Sequence, residues 1–365
     1  MQSRIVRLVV STFVLTLGLW GYTTPVHSAV LTTPSFNLDA ANSASLSLSD
    51  RYKWKDLVSG GTTFAVIDDY ETITADAIAG GGGSLALGGA GSGVGLASSP
   101  TAGSGAYPTG DISVMMWVKF NKFSPVWNII ASHWFTDLAG NGVSPNNDWH
   151  FAVKKVNTSY VLDLFTNTST ESTGSFDFTG KINQWFLVGW TISGTTLQFY
   201  VNGKPDGAAI SNVTRPTNSG ALLWVGDRRA GSSEYGIYGY VGKFRMWSSA
   251  LTANQVLNDY KNEGAAMGRG TTTTLSLATT PAVYRTQNTI TATVAEAGRV
   301  TFFERGKVIP GCNRAIAATT TAICKWKPAI QSAVNLTASY LPTDTGTLSS
   351  NGAISVPVSL RTGKR

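Results

Sequence analysis

The chain has 365 residues, a formal net charge of +7, 42% hydrophobic residues, 13% charged residues and 39 glycines. That length holds two or three domains, each with a core of its own. Charge this sparse, with six glutamates in all, argues against a protein of long helices and fits a turn-rich β protein. The charge is also uneven. Residues 271–365 carry ten Lys/Arg against Glu296, Glu304 and Asp344, a net of +7, whereas residues 29–270 carry sixteen against eighteen acidic residues. The basic C-terminal part suits either an anionic surface or plain solubility.

Residues 1–28 read as a signal peptide. Arg4 and Arg7 precede the apolar stretch Leu8 to Leu19, and Val26 and Ser28 place cleavage before Ala29. A signal anchor is the alternative, but Gly18, Gly21 and Pro25 interrupt a run that is short for a span. No later stretch approaches membrane length, so the expected location of the mature chain is secreted or cell-surface.

Gly80 to Gly95 is glycine-rich, and Gly89, Gly91 and Gly93 imitate a dinucleotide loop without the helix and acid that such a loop needs. A strand with loose glycine loops is expected there instead. From Ile112 to Phe120, apolar residues at every second position predict a half-buried strand. Trp185 to Ile192 is apolar at both parities and predicts a strand covered on both faces. Ser193-Gly194, the strand Thr196 to Val201, and Asn202-Gly203 then predict an antiparallel meander. Residues 251–262 form the one amphipathic helix pattern, opened by Leu251, and 264–274 read as a linker of small polar residues. Strand patterns at 288–294, 299–304, 334–340 and 354–360 predict a second, smaller β-sandwich. In an oxidising compartment the two cysteines, Cys312 and Cys324, are expected to form one disulfide.

The segments 36–61, 111–120, 183–204, 221–228 and 238–260 together resemble concanavalin A-like, laminin-G-like jelly-roll domains over about residues 36–263. The segments 298–312, 322–324 and 334–340 resemble bacterial immunoglobulin-like repeats over about 271–360. The resemblance implies an all-β chain. A signal peptide (1–28) precedes a jelly-roll β-sandwich (29–263), a linker (264–274) and a smaller immunoglobulin-like β-sandwich (275–365) of the kind that serves as spacer or stalk. Relatives with calcium usually carry one acid in an early segment and another near the last core strand. Here Gly88 or Gly89 and Val241-Gly242 stand at those places, so no cofactor is expected. Asp137 and Asn141-Gly142 resemble a calcium loop only in part, since residue 139 is Ala.

Glucanases on this fold need carboxylates at alternate positions of one strand. No such pattern exists; Asp68-Asp69-Tyr70-Glu71 has the wrong parity. No serine-hydrolase elbow is present either. The expectation is therefore a non-catalytic protein. Sugars stack on Trp and Tyr while amides, carboxylates and guanidinium groups take the hydroxyls. Two segments supply that mixture: 133–150, with Trp134, Asp137, Asn141, Asn147, Asp148 and Trp149, and 226–240, with Asp227, Arg228, Tyr235 and Tyr238. Trp149 is either a stacking platform or a core residue of the following strand. Expected partners are glycans or surface polysaccharide, with neither nucleic acid nor a membrane span. The alternative is a structural surface or virion-decoration protein with protein neighbours, and the third reading is a glycoside hydrolase.

Overall fold

The structure, a computed structural model, describes residues 33–47, 50–58, 63–66, 73–74, 83–88, 96–97, 110–133, 148–166, 170–216, 223–227, 235–343 and 348–360. Residues 1–28, expected to be a signal peptide, lie outside them. Among the described residues no helix is long and apolar enough to cross a membrane.

The chain is all-β. Its first part is a sandwich built on two large antiparallel sheets, beside a four-stranded one of Leu46–Ser47, Asp50–Lys55, Thr63–Val66 and Leu96–Ala97. The larger sheet runs in the order Lys204–Ile210, Thr196–Val201, Trp185–Ser193, Ile112–Lys122, Tyr238–Trp247, Ser84–Gly88, Ile73–Thr74, with Phe36–Asp39 also paired to Tyr238–Trp247. The smaller runs Thr170–Thr173, Ser159–Thr166, Trp149–Val156, Trp127–His133, Leu223–Val225. The predicted meander is present: Asn202 and Gly203 take φ of 50° and 80°, and Val201 pairs with Lys204 across the turn.

The alternation at Ile112 to Phe120 predicted one buried face, and the structure buries both. Ile112, Val114, Met116, Val118 and Phe120 enter the core between the sheets. Met115 and Trp117 enter a second apolar cluster on the outer face, with Trp185, Leu187, Tyr200, Trp247 and Leu251. The cover is the helix Ala253–Glu263, whose Val256 and Tyr260 pack into that cluster. Thr252, not Leu251, opens this helix. Its Oγ1 accepts from Gln255 N while Gln255 Oε1 accepts from Thr252 N, a reciprocal cap. The helix is also tied to the sheet by charge. Arg245 Nη1 donates to Asp259 Oδ1 and Nη2 to Glu263 Oε2, both at 2.7 Å, and Trp117 Nε1 donates to the same Glu263 oxygen.

Within residues 264–274, expected to be a linker, Gly264, Met267 and Thr273 are buried. Ala265–Arg269 forms a π-helical turn, and Met267 is buried against the outer cluster. A Cβ at Gly242 would meet Met267 Cε, so the glycine leaves room for the end of that side chain.

Beyond it, a three-stranded sheet (Thr274–Leu277, Asn288–Thr293, Thr321–Trp326) and a five-stranded sheet built on Gly298–Glu304, Val334–Pro342 and Ser350–Val356 enclose a separate core. The last predicted strand, 354–360, begins earlier than expected and is split into Ser350–Val356 and Val358–Ser359. Cys312 and Cys324 are joined, with Cα atoms 5.4 Å apart and both residues buried. Replacing both by serine should lower the unfolding free energy by about 2–3 kcal/mol, since a short closed loop no longer restrains the unfolded chain. Denaturant titration of the disulfide-bonded chain measures this; an unchanged midpoint and slope would show that the bond adds nothing.

Candidate functional site

The predicted ligand residues separate in the structure. Trp134, Asp137, Asn141, Asn147 and Arg228 lie outside the described residues. Trp149 is fully buried in the core and meets Trp190 edge-to-face at 5.4 Å. Its strand sits between Trp127–His133 and Ser159–Thr166, and pleating turns the ring inward. The stacking-platform reading of Trp149 is thus corrected: it is core. Asp148 and Asp227 are also fully buried, which corrects them as ligand contacts. Asp148 Oδ2 lies 3.1 Å from His133 Nδ1, and Asp227's carbonyl accepts from Ser132 Oγ. Burial without such partners would be costly. Tyr235 and Tyr238 are half-buried. Tyr235 stands 5.5 Å from the ring of Trp127, and Tyr238 lies under the Lys122 ammonium at 3.8 Å. His133 pairs with Trp149, whereas Tyr235's carbonyl accepts from Ile129 N. The described ends of the two segments therefore meet on one strand: His150 pairs with Ser132, whose hydroxyl donates to Asp227's carbonyl, and Tyr235 lies beside Ile129 three residues away.

Between them, the outer face of the smaller sheet carries a polar group that no sequence pattern announced. His150 stacks on Phe165 at 5.0 Å, and its Nε2 is 3.8 Å from Asp163 Oδ2. Lys154 pairs with Glu171 and lies over Trp127. Asp163 is fully buried. Burial first, and then the Glu171 carboxylate, push its pKa up to about 8, against the opposing pull of Lys154. A carboxyl closed to solvent and neutral at pH 7 reaches no substrate. It does carry a pH signature. Below the ordinary carboxylate value both folded and unfolded chains hold this proton. As pH rises toward 8 only the unfolded chain releases it, so Asp163 costs stability progressively over that window. Asp163→Asn should melt close to wild type at pH 4 and increasingly above it by pH 8. A melting difference that stays flat across that range would contradict the assignment.

An open concave site lies elsewhere. A cleft of about 510 Å³ runs between the segment after Thr170–Thr173 and the 201–207 hairpin, at the edge of the larger sheet. This volume is in the range of small-ligand sites. Phe176, Phe186 and Val201 supply apolar wall, and Gln184 and Asn202 supply amides. Lys181, Lys204 and Arg269 supply positive charge. Asp206 is the one carboxylate in the lining, and its Oδ1 accepts from Ser175 N, Ser175 Oγ and Phe176 N at 3.0, 2.8 and 2.7 Å. That triple acceptance stitches the crossing segment to the hairpin. Sequence reading missed these residues because their positions, 181, 204 and 269, are far apart and form no motif. The only hint was a lysine directly after the Asn202-Gly203 turn. Among the described residues no group of three or more His, Cys, Asp or Glu is gathered as for a metal.

Most of the cleft lining, Arg269 excepted, falls within one recognisable region. Residues 88–257 match the Laminin_G_3 family model. That family is described as belonging to the concanavalin A-like lectin/glucanases superfamily. No curated protein matches the chain. Among solved structures, domain 4 of AbnA, an extracellular arabinanase from Geobacillus stearothermophilus in complex with arabinotriose, is 16% identical. It has a TM-score of 0.39 and covers 62% of this chain and 97% of its own. The CBM40 of the IT-sialidase of Ruminococcus gnavus, bound to α2,3-sialyllactose, is 12% identical at a TM-score of 0.35, covering 53% and 100%. A heptameric pentraxin from Limulus polyphemus is 20% identical at 0.33, covering 40% and 68%. None of these scores reaches 0.5, so function rests on this chain's own residues.

Proposed function

We propose that this is an exported, non-catalytic protein that binds glycans or surface polysaccharide through its lectin-like sandwich, with the smaller sandwich as an immunoglobulin-like spacer folding independently of it. The observation that carries this reading is the cleft beside the 201–207 hairpin. It offers aromatic wall, amides and cations, and Oδ1 of its single carboxylate accepts from three of the protein's own donors. Glycoside hydrolysis by the common route needs two carboxyl groups flanking the bond. The lectin/glucanase family match supports the binding class, and the signal-peptide pattern and the buried disulfide support export. Tyr235 and Tyr238, half-buried at the surface, remain candidates for further contacts.

The structural reading, a surface or virion-decoration protein with protein neighbours, draws on Ile316, Ile323 and Leu341, all more than half exposed on the smaller sandwich. A glycan array probed with the secreted chain separates the two. Glycan binding without release of reducing ends is expected, with weak single-site affinity because sugar hydroxyls exchange water bonds for similar ones. No bound glycan would favour the structural reading. Release of reducing sugar that is lost on replacing an acidic residue would overturn the non-catalytic claim.

A further inference from the structure

We propose that the cleft selects anionic sugars, those bearing a carboxylate or a sulfate ester, over neutral ones; this rests on the glycan-binding reading above. The first reason is where the positive charge sits. Residues 29–270 carry more acidic than basic residues, yet the cleft gathers Lys181, Lys204 and Arg269 around one carboxylate, Asp206. A concave wall lined by one sign of charge focuses its field on what enters.

The second reason is that the two lysines are not spent on ion pairs within the fold. Among the described residues neither Lys181 nor Lys204 takes part in an ion pair. Lys181 lies 5.6 Å from the Phe176 ring centroid, and Lys204 follows directly on the tight turn at Asn202-Gly203. Arg269 is held by the packed turn that buries Met267, with its guanidinium 5.9 Å from the Phe186 ring and its Nε donating to Tyr260 Oη. The three side chains come from the crossing segment, the hairpin and the turn after the helix, so each element's fold positions one charge.

The third reason is chemical. Lysine and arginine only donate hydrogen bonds, and their bonds to a carboxylate or sulfate are roughly twice as strong as neutral ones. The half-buried ring of Phe176 takes the apolar face of the same sugar. Asp206 does not compete as a partner for the rim cations through Oδ1, because three protein donors already occupy it.

Calorimetric titration of the full secreted chain tests this with trigalacturonate and a sulfated chondroitin disaccharide as acidic probes. Lactose and cellotriose are the neutral probes, and inorganic sulfate is the bare anion. The variants are Lys181→Gln, Lys204→Gln, their combination, and Lys325→Gln in the smaller sandwich. At least one acidic probe should bind about tenfold or more tightly than either neutral sugar. Each cleft substitution should weaken it by about three- to tenfold with melting unchanged, added salt should weaken it further, and Lys325→Gln should have no effect. Whichever acidic probe binds identifies the anion. Neutral sugars bound as tightly as acidic ones, unaffected by the lysine substitutions, would overturn the inference and leave glycan binding standing. No binding of any saccharide would remove both. Acidic probes that lose affinity only with Lys325→Gln would assign the anion site to the basic C-terminal part and overturn the inference. Inorganic sulfate bound as tightly as the sulfated sugar would also overturn it.

Discussion

Trp149→Ala should cost about 3–5 kcal/mol of stability, the range for removing a large buried aromatic, and leave glycan affinity unchanged in whatever fraction stays folded. The ring is fully buried between the sheets and packs edge-to-face on Trp190. Small proteins are stable by about 5–15 kcal/mol in all, so the loss is large on that scale. Thermal melting and calorimetric binding on one preparation, with the more conservative Trp149→Phe beside it, give both readouts. A stable variant that no longer binds would place Trp149 in the ligand site and refute its assignment to the core. Trp149→Phe should fall between wild type and alanine in stability and match wild type in binding.

The second large effect is expected at Arg245. This guanidinium is buried on the strand Tyr238–Trp247 and pairs with both Asp259 and Glu263 of the helix, while Lys243 reaches Glu263 and Asp39. Removing one member of a buried ion pair strands the charge that remains, typically at about 3–5 kcal/mol, and Arg245→Met should cost that much at neutral pH. The cost should depend on pH. Burial raises the pKa of Glu263, but Arg245 and Lys243 outweigh it and hold its carboxyl below the ordinary value. At Asp259 burial prevails over Arg245 and the value is raised. Glu263 therefore contributes stability that is present above its unfolded pKa and lost as pH falls through its folded one, and Asp259 does the reverse. Without Arg245 both carboxyls favour their protonated forms more strongly. The deficit of Arg245→Met should thus be greatest near pH 7 and shrink as pH falls below about 4–5, where carboxyls protonate. Adding Asp259→Leu and Glu263→Gln should restore much of the loss at neutral pH. A deficit independent of pH, or no gain from the compensating pair, would show that lost packing and not stranded charge is the cause.

The two cores follow from local pattern. Asn288, Ile290 and Ala292 of the smaller sandwich are buried at alternate positions, as are Val334, Leu336, Ala338 and Tyr340. Period-two alternation is written residue by residue, and a sheet with one wet face shows it directly. The hairpin at Asn202-Gly203 was equally legible, because positive φ at two successive positions restricts the residues that serve there. So was the helix, whose capping residue is displaced by a single position from the expected start.

What one strand could not report was what covers it. Ile112 to Phe120 alternates strictly between Ser113, Met115, Trp117 and Lys119 and its apolar partners, yet both faces are buried, because a helix well over a hundred residues later in the chain lies on the second. The same limit governed the site. Trp149 and Asp148 had the composition of a sugar site, and their burial depends on the strands beside them and on His133. Lys181, Lys204 and Arg269 had no shared motif, and only the closure of the sheet edge brings them to one cleft. Local sterics and alternation act over a few residues and are readable in order along the chain. Burial, charge focusing and concavity are properties of surfaces built from distant segments, and they exist only once those segments are packed.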